Sequence, residues 1–125
     1  MGMIVRGKCP GCGYEVEVKT GGGQWDWKRE AIENAAPEGT GLEAAMEQGA
    51  SLTIERCLAT CGNCKKIVTG TYVCVRRPGS DEIQRLTKGC PDCGGTLRRH
   101  SPDARAVGCP RCTHIIELRP AGHWD

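Results

Sequence analysis

"GCPDCGGTLRRHSPDARAVGCPRCTH", residues 89–114, carries two C-x2-C pairs, Cys90/Cys93 and Cys109/Cys112, with 15 residues between them. Each pair has Pro inside it, and such a stretch makes a tight turn that aims two thiolates the same way. Zinc takes four ligands in a tetrahedron, with sulfur at about 2.3 Å, so one pair supplies half a site. Two pairs at this separation match the C-x2-C-x15–20-C-x2-C zinc pattern. The spacing therefore predicts one four-cysteine site from these four residues.

Two further pairs lie upstream, "CPGC" at Cys9/Cys12 and "CGNC" at Cys61/Cys64, with 48 residues between them. After the first, Tyr14, Val16 and Val18 alternate with Glu15, Glu17 and Lys19, the period of a half-buried strand. "SLTIERCLATCGNCKKIVTGTYVCV" (51–75) reads as strand, knuckle, strand. The favoured reading takes Cys61/Cys64 as the partner pair of Cys9/Cys12. An exchange of pairs between the two sites is the alternative.

"CPDCGGTLRRH" and "AVGCPRCTHIIELRP" resemble the zinc ribbon family, in which knuckles on two β-hairpins clamp one ion. The resemblance covers residues 88–120 and implies that "TLRRH" and "HIIEL" are strands packed on one another. "KCPGCGYEVEVKT" together with residues 51–77 resembles a second ribbon, with an insertion between its knuckles. The implied fold is small, metal-stabilised and mainly β, with two tandem zinc ribbons and a helical insertion. The implied domains are 1–77, with the insertion at about 20–50, a linker at 78–88, and a compact ribbon at 89–125. The implied ligands of two Zn2+ ions are Cys9, Cys12, Cys61, Cys64, Cys90, Cys93, Cys109 and Cys112. "KCPGCGY" also resembles rubredoxin, which makes iron the alternative metal and electron transfer the alternative function. The lack of Phe and the presence of only two Tyr argue against an aromatic-rich rubredoxin core.

Composition gives independent reasons for metal. Leu, Ile, Val and Phe make up only 20 of 125 residues, a thin core for a chain whose net charge of +2 gives no reason for disorder. Small domains with thin cores need disulfides or metals. The N-terminus has no apolar run of signal-peptide length, and no stretch approaches a membrane span, so the expected compartment is the cytoplasm. In that reducing setting, paired cysteines point to metal rather than bridges.

"ERCLATCGNCKK" (55–66) adds Cys57 in a C-x3-C-x2-C order that also suits an iron–sulfur cradle. That assignment strands Cys9 and Cys12, and the chain is too short for the barrel of radical enzymes. A site of Cys57, Cys61, Cys64 and Cys74 is a further alternative. The favoured reading places Cys57 and Cys74 on the flanking strands as buried small hydrophobes or a spare thiol pair.

Between the first two pairs, "WDWKREAIENAA" is rich in helix formers and ends at Pro37. "TGLEAAMEQG" offers Thr40 and Glu43 as a capping box and Gly49 as a terminator, with Leu42, Ala45, Met46 and Gly49 on one face. Trp25 and Trp27 are candidates either for the core or for an exposed patch that meets a partner. In 78–88, Ser80 with Asp81 and Glu82 signals a short helix or linker.

Charge is uneven: residues 1–60 balance at −3 and residues 61–125 at +5. Lys65, Lys66, Arg76, Arg77, Arg98, Arg99, Arg105 and Arg111 are candidate contacts to a phosphate backbone or a protein. Tyr72 and Trp124 are candidates to stack on bases, although aromatic interleaving is weak. Four thiolates per ion leave no open position for catalysis. His100, His114 and His123 show no metalloprotease or deaminase motif, and "TGGGQ" lacks the ending of a phosphate loop. The sequence thus points to a non-catalytic protein that contacts a larger protein or nucleic-acid assembly.

Overall fold

The computed structural model describes residues 2–22, 28–101 and 103–124. Trp25 and Trp27 lie outside the described residues. The described chain is mainly β, with strands β1 (Gly2–Lys8), β2 (Glu15–Gly21), β3 (Ser51–Cys61), β4 (Ile67–Arg76), β5 (Ile83–Leu86), β6 (Leu97–Arg99), β7 (Ala106–Gly108), β8 (Ile115–Glu117) and β9 (Arg119–Trp124). Helices α1 (Arg29–Ala35) and α2 (Leu42–Glu47) fall between β2 and β3.

The sheet order is β5-β4-β3-β2-β1-β9, with β6 added on β3, while β7 and β8 form a separate two-stranded sheet. All these pairings are antiparallel. The longest ladder joins β3 to β4, from Ser51 opposite Arg76 to Thr60 opposite Ile67. Both ends of the chain meet at the far edge, where Gly2 opposes Trp124. The indole crosses Gly2, where a Cβ would collide with the ring, and donates from Nε1 to the Thr20 carbonyl at 3.0 Å. Only glycine leaves room for that crossing.

Alternation sorts β2 as the pleat requires. Val16 and Val18 are buried between exposed Glu15, Glu17 and Lys19. They join Leu58, Ile67, Val107, Ile116 and Leu118 in the main apolar cluster, which also holds Cys9 and Cys109. A second cluster seats the helices: Ile32, Ala36 and Ala45 pack on Ile54, Val73 and Val75. A small third cluster of Ala59, Cys61, Val68 and Cys90 lies at the other knuckles, with Leu97 packed against it.

Several local expectations change. Helix α1 does stop before Pro37, and Gly49 takes the left-handed φ of 87° that ends α2. The cap of α2, however, is Gly41, with no side-chain cap bond; Thr40 does not play that role. Met46 is 40% exposed, so the apolar face of α2 is narrower than its spacing suggests. Residues 83–86 form a strand on β4 rather than a helix. There Ser80 Oγ accepts from the Glu82 N–H in a local turn. The unpaired edge of β4 supplies partners that a four-residue helix could not replace.

Candidate metal centres

Each knuckle is a short backbone loop closed by its own hydrogen bonds. The Cys9 N–H donates to the Tyr14 carbonyl at 2.8 Å, and the Gly13 N–H returns to the Cys9 carbonyl at 3.0 Å. The same two bonds recur at Cys61 with Lys66 and Lys65, and at Cys90 with Gly95 and Gly94. The residue after the second cysteine turns left-handed in all three: Gly13 at φ 80°, Lys65 at 62° and Gly94 at 74°. Lys65 is the one non-glycine residue with positive φ among the described residues. In the fourth knuckle the Cys109 N–H donates to the His114 carbonyl at 2.9 Å.

The knuckles assemble into two sets of four thiols: Cys9, Cys12, Cys109 and Cys112 in one, and Cys61, Cys64, Cys90 and Cys93 in the other. This corrects the pairing that the sequence spacing predicts, which joined Cys90/Cys93 to Cys109/Cys112 and Cys9/Cys12 to Cys61/Cys64. The first and last pairs of the chain share one centre, and the two middle pairs share the other. The reason is strand pairing. β6 docks on β3 with Leu97 opposite Cys61, and the Gly62 N–H reaches the Thr96 carbonyl at 2.9 Å, so the Cys90 loop lands on the Cys61 knuckle. The β7–β8 hairpin instead packs Val107 and Ile116 against Val16 and Val18. For the same reason the strands of "TLRRH" and "HIIEL" pair with β3 and β7 and not with each other.

The geometry of both sets suits a tetrahedral ion. Sulfur separations are 3.3 Å (Cys9–Cys112), 3.5 Å (Cys12–Cys109), 3.4 Å (Cys61–Cys93) and 3.7 Å (Cys64–Cys90). Four sulfurs about 2.3 Å from a common ion stand about 3.8 Å apart, close to these values. All ten cysteines are free thiols. Cys57 and Cys74 belong to neither set. Cys57 opposes Gly70 while Cys74 opposes Thr53, which puts the two thiols several rungs apart on one ladder and removes both the spare-pair and the Cys57/Cys61/Cys64/Cys74 alternatives.

Backbone and side-chain donors are already aimed at the sulfurs. Cys61 Sγ receives the N–H groups of Asn63 and Cys64 at 3.3 and 3.4 Å, and Cys93 Sγ receives the Asn63 amide at 3.5 Å. The Asn63 amide and the Gly95 N–H help to bring the Cys93 thiol down to about 6. Cys9 also falls to about 6, chiefly through the Cys12 backbone N–H. Their neighbours move the other way. At Cys64 the Lys66 N–H pulls down, but burial and the thiols of Cys61, Cys90 and Cys93 push it up to about 11. Cys112 goes up to about 12, where the His114 N–H is outweighed by Cys9, burial, Cys109 and Cys12. Four crowded thiolates repel one another, and a dication at their centre removes that conflict. The donor set therefore fits a thiophilic metal ion. Gly95 is fixed by the second centre: a Cβ there would stand 2.6 Å from Asn63 Cβ and 3.1 Å from Cys61 Sγ.

The candidate contact residues are distributed over several elements. Lys65 and Lys66 flank a knuckle, and Lys66 pairs with Asp92 at 3.4 Å. Arg76 ends β4, and Arg77 donates to Gln84 at 3.0 Å. Arg98 and Arg99 lie on β6 with opposite directions; Arg98 is exposed, whereas Arg99 binds Glu55 through Nε at 2.7 Å. Arg105 is exposed ahead of β7, and Arg111 covers the Tyr14 ring at 5.1 Å. Tyr72 is 5% exposed, so it offers no face to a base. Trp124 is packed beneath Arg56 at 4.8 Å and Lys19 at 5.5 Å. His100 Nε2 lies 2.8 Å from the Thr60 hydroxyl, away from both thiol sets.

Sequence reading missed Asn63 as a sulfur donor and Glu55 as a hub. Glu55 ties Arg99 on β6 and Arg85 on β5 (3.6 Å) across the face that holds Cys57, Tyr72 and Cys74. Its place on the odd-numbered side of β3 was the available signal. No helix among the described residues is long and apolar enough to cross a membrane. No family model, curated protein or solved structure matches this chain.

Proposed function

We propose that the chain is a non-catalytic zinc-binding recognition module, folded by two zinc ions, whose surface engages a larger protein or nucleic-acid partner in the cytoplasm. The observation that carries this reading is the completeness of both centres. Each set brings four thiols together. A tetrahedral ion inside four thiolates has no position left for water or substrate, which separates structural from catalytic zinc. Such an ion contributes about 10–16 kcal/mol of apparent folding free energy in finger peptides, against about 5–15 for a whole domain. A thin core divided into three clusters needs that contribution.

Four-thiolate cages also accept iron, and geometry does not separate the two metals. Elemental analysis of the purified protein does. Two zinc per chain in a colourless sample is the expected result; a red sample with two iron replaces recognition by electron transfer. The partner is sought by affinity capture with and without nuclease. Capture of specific macromolecules supports the recognition role, and their loss on nuclease treatment identifies nucleic acid. A protein that captures nothing in either arm contradicts it.

A further inference from the structure

Both centres carry a polar side chain on one cysteine sulfur, and the two arrangements mirror each other. In the inner centre the Asn63 amide donates to Cys93 Sγ at 3.5 Å. In the outer centre His114 Nδ1 lies 3.4 Å from Cys112 Sγ. A sulfur bound to a metal ion is deprotonated and only accepts, so Nδ1 carries the proton of that bond. Asn63 is the second residue inside its C-x2-C pair, "CGNC", and Gly11 takes the same place in "CPGC". His114 is the second residue after its pair, "CPRCTH", and Gly95 takes the same place in "CPDCGG".

Across each centre these two positions face each other. A Cβ on Gly95 would stand 2.6 Å from Asn63 Cβ, and one on Gly11 would stand 2.3 Å from His114 Nδ1. Each centre therefore sets one polar side chain against one glycine, and the two centres swap which side supplies which. Neither glycine has a positive φ, so the missing Cβ, and not a left-handed backbone, sets these places apart. The bonded sulfur is also the more accessible one of its knuckle. Cys93 is exposed and Cys112 partly buried, while Cys90 and Cys109 are buried. An ion held by four thiolates is released by losing one of them, and solvent reaches the accessible sulfur first. A hydrogen bond to that thiolate lowers its affinity for a competing proton and fixes its direction.

We propose that Asn63 and His114 are positioning residues that hold the Cys93 and Cys112 thiolates on their ions, and that Gly95 and Gly11 lack a side chain to admit them. These roles rest on the reading of two metal-filled centres, but not on which thiophilic metal fills them. Each centre thereby has its own control over metal release, separate from the other.

The test follows zinc release from the full metal-loaded chain into the chelator 4-(2-pyridylazo)resorcinol, with the cobalt(II)-substituted chain as a spectroscopic check. Asn63→Asp keeps the shape but turns an oxygen toward Cys93. It should speed release of one of the two ions about tenfold, the low end for removal of such a partner. His114→Phe should speed release of the other ion about tenfold. His114→Asn returns an amide N–H to the place of Nδ1 and should stay within about twofold of wild type. Gly11→Ala should act like His114→Phe, and should add about twofold at most in a chain that already carries His114→Ala. In the cobalt(II) chain, loss of either donor should move the sulfur-to-metal charge-transfer band to longer wavelength, because the sulfur becomes more electron-rich. These roles are overturned if Asn63→Asp and His114→Phe leave both release rates unchanged, or if either variant speeds both ions equally. Release from His114→Asn as fast as from His114→Phe overturns the role of His114. Metal content separates this from failure of the metal reading: two ions in the wild type with unaltered variant release rejects the donors alone. A wild-type chain without metal rejects the centres as well.

Discussion

The two metal centres use the same knuckle but do different work. The outer centre joins Cys9/Cys12 to Cys109/Cys112 across 96 intervening residues, and the inner one joins Cys61/Cys64 to Cys90/Cys93 across 25. Cys9 and Cys109 are part of the main apolar cluster, whereas Cys61 and Cys90 belong to the smallest. The outer set therefore ties residues near both chain ends into the main core, and the inner set joins a loop to the end of the longest hairpin. The comparison teaches that loop length did not choose the partners. Relative to the pairing expected from spacing, the observed one closes two longer loops, at an entropic cost of only about 1 kcal/mol. Burying each of Val107, Ile116 and Leu118 contributes about 1.5–3 kcal/mol. Packing outweighs loop closure.

Metal counting on double variants breaks or confirms the pairing outright. Cys12→Ser with Cys112→Ser should retain one ion per chain, because both residues belong to the outer centre. Cys12→Ser with Cys64→Ser should retain none and should lose cooperative unfolding by circular dichroism. The reverse pattern would restore the pairing expected from spacing.

Single variants sharpen the contrast between the centres. Cys109→Ser should release one ion and abolish the native thermal transition, since it opens the main core. Cys93→Ser, at an exposed ligand of the inner centre, should also release one ion yet keep the β1–β2–β9 region folded, as read from amide exchange. Equal collapse in both variants would remove the distinction.

A smaller effect is expected at the cysteines that bind nothing. Cys57→Ser should keep two ions and lower stability by about 1–3 kcal/mol, the cost of an unpartnered buried hydroxyl. Burial pushes the Cys57 thiol up to about 11 from an ordinary 9.0. An acid whose folded value is raised stays protonated in the fold after the unfolded chain has ionised, so its contribution is lost as pH rises above about 9, and not as pH falls. Iodoacetamide at pH 8.5 should accordingly leave Cys57 unmodified in the metal-loaded protein and label it after chelation. Labelling before chelation would show that the face is open.

Glu55→Gln should have the smallest effect, about 1 kcal/mol, because the Arg85 and Arg99 side chains it binds are themselves 34% and 27% exposed. A denaturant titration measures it. A loss above about 3 kcal/mol would mean that the Glu55 network, and not the inner ion, holds β5 and β6 to the sheet.

The sequence by itself determined the local chemistry. The C-x2-C pairs, the alternation of Val16 and Val18, the strand–knuckle–strand at 51–75 and the stop at Pro37 are short-range patterns, and each appears in the structure. The eight thiols of the two centres were legible for the same reason. Which knuckles meet was decided only in the tertiary structure. All four knuckles carry nearly the same motif, so the motif holds no information about its partner. That choice rests on long-range packing, of Leu97 at Cys61 and of Ile116 at Val16 and Val18, which identical knuckles cannot encode. The facing of Asn63 with Gly95, and of His114 with Gly11, was illegible on the same ground: these are ordinary knuckle residues until the knuckles meet.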